Sequence, residues 1–529
     1  MRRWNGWGKE SQGYPLHESA LRFLQQKVGN SKPGRDASLN EVIARVPPSR
    51  LLSHPLVITD GEERVRHARG QSLPDWIALR SGRVEHFPDG VAYPQSSREV
   101  RELLEYAARS EIGLIPYGGG TSVVGHVNVY NGDGPMLTVD LGRMNRLLCL
   151  DEESHLATFE AGARGPDLEA ALRAKGYTLG HYPQSFEYST LGGWVCTRSS
   201  GQQSLGYGRI ERLFAGGRLE TPAGTIVLPC VPASAAGPDL RELILGSEGR
   251  YGILTEATVR IRRIPEFEDF RGIFFPDFKS GVAAVKDLVR RRLPLTMLRL
   301  STAEETRTTL ARAGHENLIN LLNRYLKLRG AGDEKCLLIY GLAGSKAEVA
   351  FAAKSVSSTA KRFGGVYVGR TLGREWHKSR FRSPYLRNTL WENGCAVDTF
   401  ETAVPWSKVD GLVREIHEKI SSGLSSADER VHIFSHVSHV YIDGCSIYTT
   451  YVYRIAEDPG ETLRRWQVLK RMAGEIIAAW GGTISHQHGV GKDHLPYVQA
   501  EKGQIGMGLL REIGRALDPQ GIMNPGKLF

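Results

Sequence analysis

Pro116-Tyr117-Gly118-Gly119-Gly120-Thr121-Ser122 closes an apolar, strand-like run, Ile112-Gly113-Leu114-Ile115-Pro116. Three successive glycines tolerate positive φ angles and carry no side chains, so consecutive backbone N–H groups can converge on a phosphate oxygen. Thr121 and Ser122 add hydroxyl donors. The stretch lacks the Gly-Lys-Ser/Thr ending of a P-loop, and it is not the Gly-x-Gly-x-x-Gly dinucleotide turn. Taken alone, the three glycines read equally well as a plain tight turn. Two further glycine turns lie outward from this one. Gly192-Gly193 sits within residues 181–201, a block dense in Ser, Thr, Gly and aromatic residues, and Gly246-Ser247-Glu248-Gly249 precedes an alternating run over 253–263. Three such turns suit an extended ligand carrying a pyrophosphate. Three ordinary surface turns in a chain with 60 glycines is the other reading.

Residues 1–85 are polar and interrupted by proline, with one amphipathic helix expected near 18–28. Val100, Leu103, Leu104 and Ala107 repeat at i, i+3, i+4 and i+7, which predicts a helix with one apolar face ahead of the glycine loop. Strand-like runs follow at 136–141 and 155–161, and Gly165-Pro166-Asp167 opens a helix with proline in its first turn. Beyond Arg263-Ile264-Pro265 the character changes. Strand-like runs at 271–275, 295–300, 335–341, 396–401 and 446–453 alternate with helical patterns over 279–293 and 406–420. The expected organisation is an α+β chain in four parts: an N-terminal helical and irregular segment (1–85), a first domain (86–265), an α/β cap domain (266–455) and a C-terminal segment (456–529) that packs back on the first domain.

The 529 residues leave room for three or four structural units or two large ones. With 41% hydrophobic and 24% charged residues the chain buries an ordinary core, which excludes collagen-like, coiled-coil and disordered classes. No apolar run reaches the roughly 18 residues a bilayer span needs. The first eight residues lack the apolar core of a signal peptide, and Gly526-Lys527-Leu528-Phe529 is not the peroxisomal tripeptide. Six cysteines never form a Cys-x-x-Cys pair, so reduced thiols and a cytoplasmic location are expected. The charge of +10 is spread along the chain, and its clusters, Arg260-Ile261-Arg262-Arg263 and Arg290-Arg291-Arg292, are short. They read as solvated surface, and no recognition motif supports nucleic-acid binding.

Pro116-x-Gly-Gly-Gly-Thr-Ser122, Ser189-Thr190-x-Gly192-Gly193-Trp194-Val195-x-Thr197-Arg198 and Gly246-Ser247-Glu248-Gly249 together resemble the FAD-binding flavoproteins of the vanillyl-alcohol oxidase type. Trp4-Asn5-Gly6-Trp7-Gly8, the 181–201 block, Phe400-Glu401-Thr402-Ala403-Val404-Pro405-Trp406 and residues 485–492 are similar to one family among them, the alkyldihydroxyacetonephosphate synthases of ether-lipid synthesis. The resemblance implies a two-part FAD-binding domain of the vanillyl-alcohol oxidase type plus an α/β cap domain for substrate. It implies FAD contacts at Pro116, Tyr117, Gly118, Gly119, Gly120, Thr121 and Ser122, and at Gln184, Ser185, Phe186, Glu187, Tyr188, Ser189 and Thr190. Further contacts follow at Thr197, Arg198, Ser199 and Ser200, and at Glu248, Gly249, Arg250, Tyr251, Gly252, Ile253 and Leu254. Some relatives attach FAD through a histidine directly after the loop glycines. Thr121 stands there in this chain, so non-covalent FAD is expected and His126 is read as structural.

Ser485-His486-Gln487-His488-Gly489 carries two histidines at i and i+2, residues that accept and donate protons near neutral pH. The same spacing could hold a metal, but no carboxylate or cysteine is adjacent, so no metal is expected. Incidental histidines in a surface loop are the other reading. In the synthases this place carries three consecutive histidines; Gln487 replaces the middle one, which leaves His486 and His488 as catalytic candidates. Tyr448 lies in an alternating run, where a tyrosine usually packs in the core; the resemblance makes it the acid/base serving the substrate carbon. Arg387 matches the family's arginine for the substrate phosphate, whose oxygens fit a guanidinium fork, although an arginine there also reads as a helix-surface charge. Arg299 interrupts the apolar run Leu295-Thr296-Met297-Leu298-Arg299-Leu300 and needs a buried acceptor. The resemblance implies an essential, substrate-binding arginine at that position.

The activity so implied is that of an FAD-dependent alkyl transferase. It exchanges the acyl chain of acyl-dihydroxyacetone phosphate for a fatty alcohol through an adduct at flavin N5, without net redox. Peripheral membrane contact and a homodimer stay open. The alternative is an FAD-dependent dehydrogenase or oxidase of a 2-hydroxy acid or alcohol. Those relatives share a metal-binding Gly-His-x-x-Asp-Gly-Asn-Leu-His, and the comparable stretch from Ser438-His439 to Tyr448 lacks the second histidine. Gln184 and Arg250-Tyr251 depart from the family pattern beside the flavin, which leaves room for another substrate or reaction. A non-enzymatic protein that binds flavin or a membrane surface is the third reading.

Overall fold

The apolar run before the glycines becomes the strand Gly113–Tyr117, paired in parallel with Met136–Asp140. The computed structural model describes residues 1–130, 132 and 134–529. Helix Ser97–Arg109 precedes this strand, opened by Ser96, whose side chain accepts from the Glu99 amide, and Val100, Leu103, Leu104 and Ala107 are its buried face. These strands belong to a four-stranded sheet ordered Val57–Ile58, Gly90–Ala92, Met136–Asp140, Gly113–Tyr117. A five-stranded antiparallel sheet follows, ordered Leu147–Asp151, Leu156–Glu160, Ile253–Arg260, Phe214–Thr221, Gly224–Leu228. One apolar core, including Leu114, Leu137, Phe159, Trp194 and Ile253, joins the two sheets.

From Phe267 to Arg454 the chain builds a seven-stranded antiparallel sheet. Its order is Val366–Tyr367, Phe267–Phe275, Cys336–Gly344, Leu295–Ser301, His432–Val440, Gly444–Arg454, Cys395–Pro405. Helices Phe278–Arg290, Lys346–Arg362, Val409–Ser422 and Pro459–Ala479 contribute to the large core on one of its faces. The opposite face looks toward the glycine loops. Both ends of the chain cross between the two halves. Asn388 binds the Trp7 backbone in both directions, at 3.1 and 2.8 Å. The carbonyl of Ile522 accepts from the Leu114 amide at 2.8 Å, and the Asn524 amide donates to the Leu114 carbonyl at 2.7 Å.

The α+β fold class expected from the sequence is the one observed. Several strands had no sequence counterpart, the two longest being Phe214–Thr221 and His432–Val440. Phe214–Thr221 holds Gly216 and Gly217, which weaken a strand signal. Both are needed, since a Cβ on Gly216 would lie 2.5 Å from the Leu228 carbonyl oxygen and one on Gly217 would lie 2.3 Å from that of Glu256. His432–Val440 reads His-Ile-Phe-Ser-His-Val-Ser-His-Val, and its histidines and serines interrupt the apolar alternation that marks a strand. That second omission matters, because this strand carries several residues of the site.

Candidate functional site

A cavity of about 1130 Å³ lies between the glycine turns and the open face of the seven-stranded sheet. On the first side it is walled by backbone. All of residues 116–122 line it, with Gln184, Ser185, Thr190, Thr197, Ser199, Ser200, Glu248, Gly249, Gly252 and Leu254. The glycines are required by close packing: a Cβ on Gly119 would lie 1.8 Å from the Tyr188 carbonyl oxygen, and one on Gly118 would lie 2.3 Å from Thr190 Oγ1. Arg2 braces the loop from behind, donating from Nη2 to the Gly119 carbonyl at 2.8 Å with its guanidinium over the Tyr188 ring. Ser200 Oγ is buried in this wall without a hydrogen-bond partner. An elongated chamber meeting all three glycine turns, with an unsatisfied hydroxyl aimed at no protein group, fits a bound dinucleotide such as FAD.

The other residues expected at FAD stand behind that wall. Phe186 stacks on Phe381, and Ser189 Oγ accepts from Trp194 Nε1 at 2.7 Å. Glu187 is half-buried, and Tyr188 stacks edge-on against Trp7. Arg198 pairs with Glu242, Arg250 donates to the Met523 carbonyl, Tyr251 donates to that of Leu510, and Ile253 is buried in its strand. Glu248 lines the cavity, yet its carboxylate accepts from the Val490 and Gly491 amides and lies 3.2 Å from His126. It thereby ties the histidine loop to the first domain.

On the second side the wall is made of side chains. Alternate residues of a strand share a face, and register aligns them in rows across the sheet. One row runs Glu401, Tyr448, His436, Ser301; the next runs Thr399, Thr450, Phe434; a third runs Val397, Val452, His432. On the strands of Glu401 and Tyr448 polarity thus falls from ionisable groups to hydroxyls to aliphatics, while the neighbouring strand keeps His432 in the third row. At the apolar end Val397 and Val452 join a cluster with Leu24 and Val28 of helix Glu18–Val28, flanked by Leu390 and Phe434.

Of the residues singled out for chemistry, Tyr448, His488, Arg387 and Arg299 line the cavity and His486 does not. The Tyr448 hydroxyl donates to Thr399 Oγ1 at 3.1 Å, and burial pushes its pKa up to about 12. His488 meets the Tyr448 ring edge-on at 5.9 Å, and burial lowers its pKa to about 4, so it is neutral at pH 7. The buried acceptor required by Arg299 is Glu305, at 2.6 Å. Arg387 donates from Nη1 to the Gln71 carbonyl at 2.6 Å and lies over the Trp76 ring at 4.4 Å, while its buried Nη2 has no partner.

His486 belongs to a second cluster, behind the cavity wall. Glu401, His439 and His486 bring ligand-type atoms within 4.8 Å of one another. The carboxylate missing beside the histidines in sequence is therefore supplied by another strand, and adjacency was too narrow a test. The protonation pattern decides what the cluster does. Arg209 Nη1 lies 2.8 Å from His486 Nε2, and arginine only donates, so Nε2 holds the lone pair. Its Nδ1 is buried without a hydrogen-bond partner and faces Glu401 Oε1 at 3.4 Å. Arg209 and the Tyr441 hydroxyl, at 2.7 Å, both hold Nε2 and so fix the orientation of the ring against Glu401. Burial alone would raise the Glu401 pKa, but its contacts with neighbouring side chains, His486 foremost, hold it well below the carboxylate range. Glu401 also accepts from Ser438 Oγ and Gln487 Nε2, so Gln487 serves to seat the loop.

With this geometry in view, comparison with known proteins is decisive. The family described as FAD binding domain matches residues 88–228, and that described as FAD linked oxidases, C-terminal domain, matches residues 264–528. An alkyldihydroxyacetonephosphate synthase of Dictyostelium discoideum is 32% identical over 88% of this chain and 77% of its own length. The chain belongs to the alkyldihydroxyacetonephosphate synthase family. The Caenorhabditis elegans synthase is 30% identical over 100% of this chain and 95% of its own. A solved alkyldihydroxyacetonephosphate synthase structure superposes with a TM-score of 0.85 at 29% identity, covering 100% of this chain and 99% of that one. As a member of the family the chain is an FAD-dependent enzyme, with the FAD-binding fold that the resemblance implied. Among the described residues no helix is long and apolar enough to cross a membrane.

Proposed function

We propose that this chain exchanges the acyl chain of acyl-dihydroxyacetone phosphate for a fatty alcohol, without net oxidation or reduction. The observation that carries the reading is Arg387, whose unpartnered buried Nη2 opens on a chamber that is apolar at its far end. A buried cation left unsatisfied by the protein is an anion site, and a guanidinium fork suits phosphate. An anion site and an aliphatic site in one cavity fit a phosphorylated lipid.

Residues 116–122, Ser200 and the turn at Glu248 would hold FAD. Bound there, it would supply an electrophilic N5 position that accommodates the carbon skeleton between departure of carboxylate and entry of alcohol. Attachment is non-covalent in this reading, because Thr121 replaces a histidine and His126 is bonded to Ser122 at 2.6 Å and faces Glu248. Tyr448 and His488 handle protons beside the reacting carbon, Arg387 binds the phosphate, and Arg299 contributes positive charge to the same wall. His486 acts through its contacts, keeping the loop that carries His488 in place.

The substrates are lipids, and peripheral membrane contact is part of the proposal. Helix Glu316–Leu328 exposes Leu318, Leu321 and Leu328 at 65, 65 and 86%, and Leu318 also lines the cavity. Arg324 and Lys327 of the same helix add charge suited to anionic lipid.

The test is anaerobic. FAD-loaded protein given acyl-dihydroxyacetone phosphate and a long-chain alcohol, with no electron acceptor, should release fatty acid and form the alkyl ether. Absence of ether, together with bleaching of the flavin by a 2-hydroxy acid, would replace this reading with a dehydrogenase.

A further inference from the structure

His436 carries no role in the reading above, and its surroundings are those of a catalytic base. It lies on strand His432–Val440, directly opposite Tyr448 on the neighbouring strand, and the two rings stack at 5.0 Å with an interplanar angle of 18°. Its Nδ1 is 2.8 Å from Glu305 Oε2, while the other oxygen of that carboxylate takes Arg299 at 2.6 Å. Arg299 Nη2 also lies 3.1 Å from Nδ1, but the carboxylate is the nearer partner and takes the Nδ1 proton, which leaves the lone pair on Nε2. Nε2 makes no hydrogen bond among the described residues, and His436 lines the cavity. The contrast with His486 is direct, since Arg209 takes up the Nε2 of that ring.

We infer that His436 is the general base of the site, oriented by Glu305, and that Tyr448 assists it as a hydrogen-bond donor. The inference rests on the proposed exchange. The proton to be removed lies on the carbon between the acyloxy group and the ketone. His436 Nε2 takes that proton, and the C–H electron pair moves into the ketone as an enolate. The Tyr448 hydroxyl donates to the developing oxyanion. The proton of the incoming alcohol leaves with the departing carboxylate as fatty acid, and return of the C–H proton to carbon leaves His436 neutral, so nothing is consumed.

Ionisation states agree with this division of labour. Burial lowers the His436 pKa below its ordinary 6.5, and Arg299 adds to that, whereas Glu305 and the more distant Glu401 act in the opposite sense. The ring is therefore neutral and basic at pH 7. Tyr448, with its pKa near 12, remains protonated and fit to donate. Burial opposes ionisation of Glu305, but the charge of Arg299 and the hydrogen bonds from His436 and Arg299 lower its pKa, so the orienting carboxylate stays charged. His439, whose pKa a charge on His436 would lower further, is held neutral by burial, with a pKa near 3.

The test follows substrate deuteration in D2O and ether formation on the FAD-loaded protein. A positioned proton-transfer group contributes about 10²–10⁴-fold. His436→Ala should lose about that much in both reactions, with FAD content and substrate KM unchanged, and added imidazole should restore part of the rate. His436→Phe keeps the ring stack and fills the space, so it should lose as much and gain nothing from imidazole. Wild-type activity should fall as pH drops through the His436 pKa, and Glu305→Gln, by removing a charge that raises that pKa, should move this acid limb to lower pH. Wild-type rates in His436→Ala, or equal losses with no response to imidazole and no movement of the limb, would overturn the assignment. Wild-type protein that exchanges the substrate hydrogen but makes no ether would keep the base and overturn the proposed exchange.

Discussion

The two walls of the cavity are built on different principles. The flavin wall is backbone: glycines at 118–120 let the chain lie against Tyr188 and Thr190. The cap wall is side chains, arranged in rows by the register of strands Leu295–Ser301, His432–Val440, Gly444–Arg454 and Cys395–Pro405. A backbone wall tolerates no added atoms, whereas a side-chain wall can be altered one group at a time. Changes on the first side should therefore remove the cofactor, and changes on the second should remove the chemistry while the protein stays yellow.

The largest effect is expected from Gly119→Ala. Its Cβ would meet a carbonyl oxygen 1.8 Å away, and overpacking of this kind costs about 1–3 kcal/mol or more. The purified variant should carry no flavin absorbance; a fully loaded Gly119→Ala would dissolve the distinction between the walls. Arg387→Ala should retain FAD and weaken phosphorylated substrate. Hydrogen bonds to charged groups are worth about 1.5–3 kcal/mol, or about 10- to 150-fold in KM. An unaltered KM would move the phosphate elsewhere. The smallest effect falls on the flavin side, where Arg2→Met removes one hydrogen bond to the Gly119 carbonyl. At about 1 kcal/mol that is roughly fivefold in FAD dissociation, measured by fluorescence titration. A variant that binds FAD as tightly as the wild type would make Arg2 incidental to the loop.

The same contrast explains what was legible in the sequence. A backbone site leaves a local mark, because the glycines that make it are neighbours in the chain. The loop at 116–122 and the turn at Gly246-Ser247-Glu248-Gly249 were readable for that reason, and with them the fold. The cap wall draws one residue at a time from separate strands. Tyr448, Arg299 and Arg387 were named through resemblance to a family, while His436, Glu305 and Glu401 were not named for chemistry. The signal that could have found His436 was the polar face of residues 432–439, where His, Phe, His and Ser stand at alternate positions. An apolar-alternation test passes over such a strand. The role of Glu401 was beyond any local reading, since its histidine partner His486 lies on the C-terminal loop and Arg209 on the first domain.

The most direct measurement is a crystal structure of the FAD-loaded protein with a non-reacting ether analogue of acyl-dihydroxyacetone phosphate. The account predicts the phosphate on Arg387 Nη2, the chain against Val397 and Val452, and the carbon beside the ketone within reach of His436 Nε2 and the Tyr448 hydroxyl. A phosphate bound away from Arg387, with the chain outside the apolar end, would contradict it.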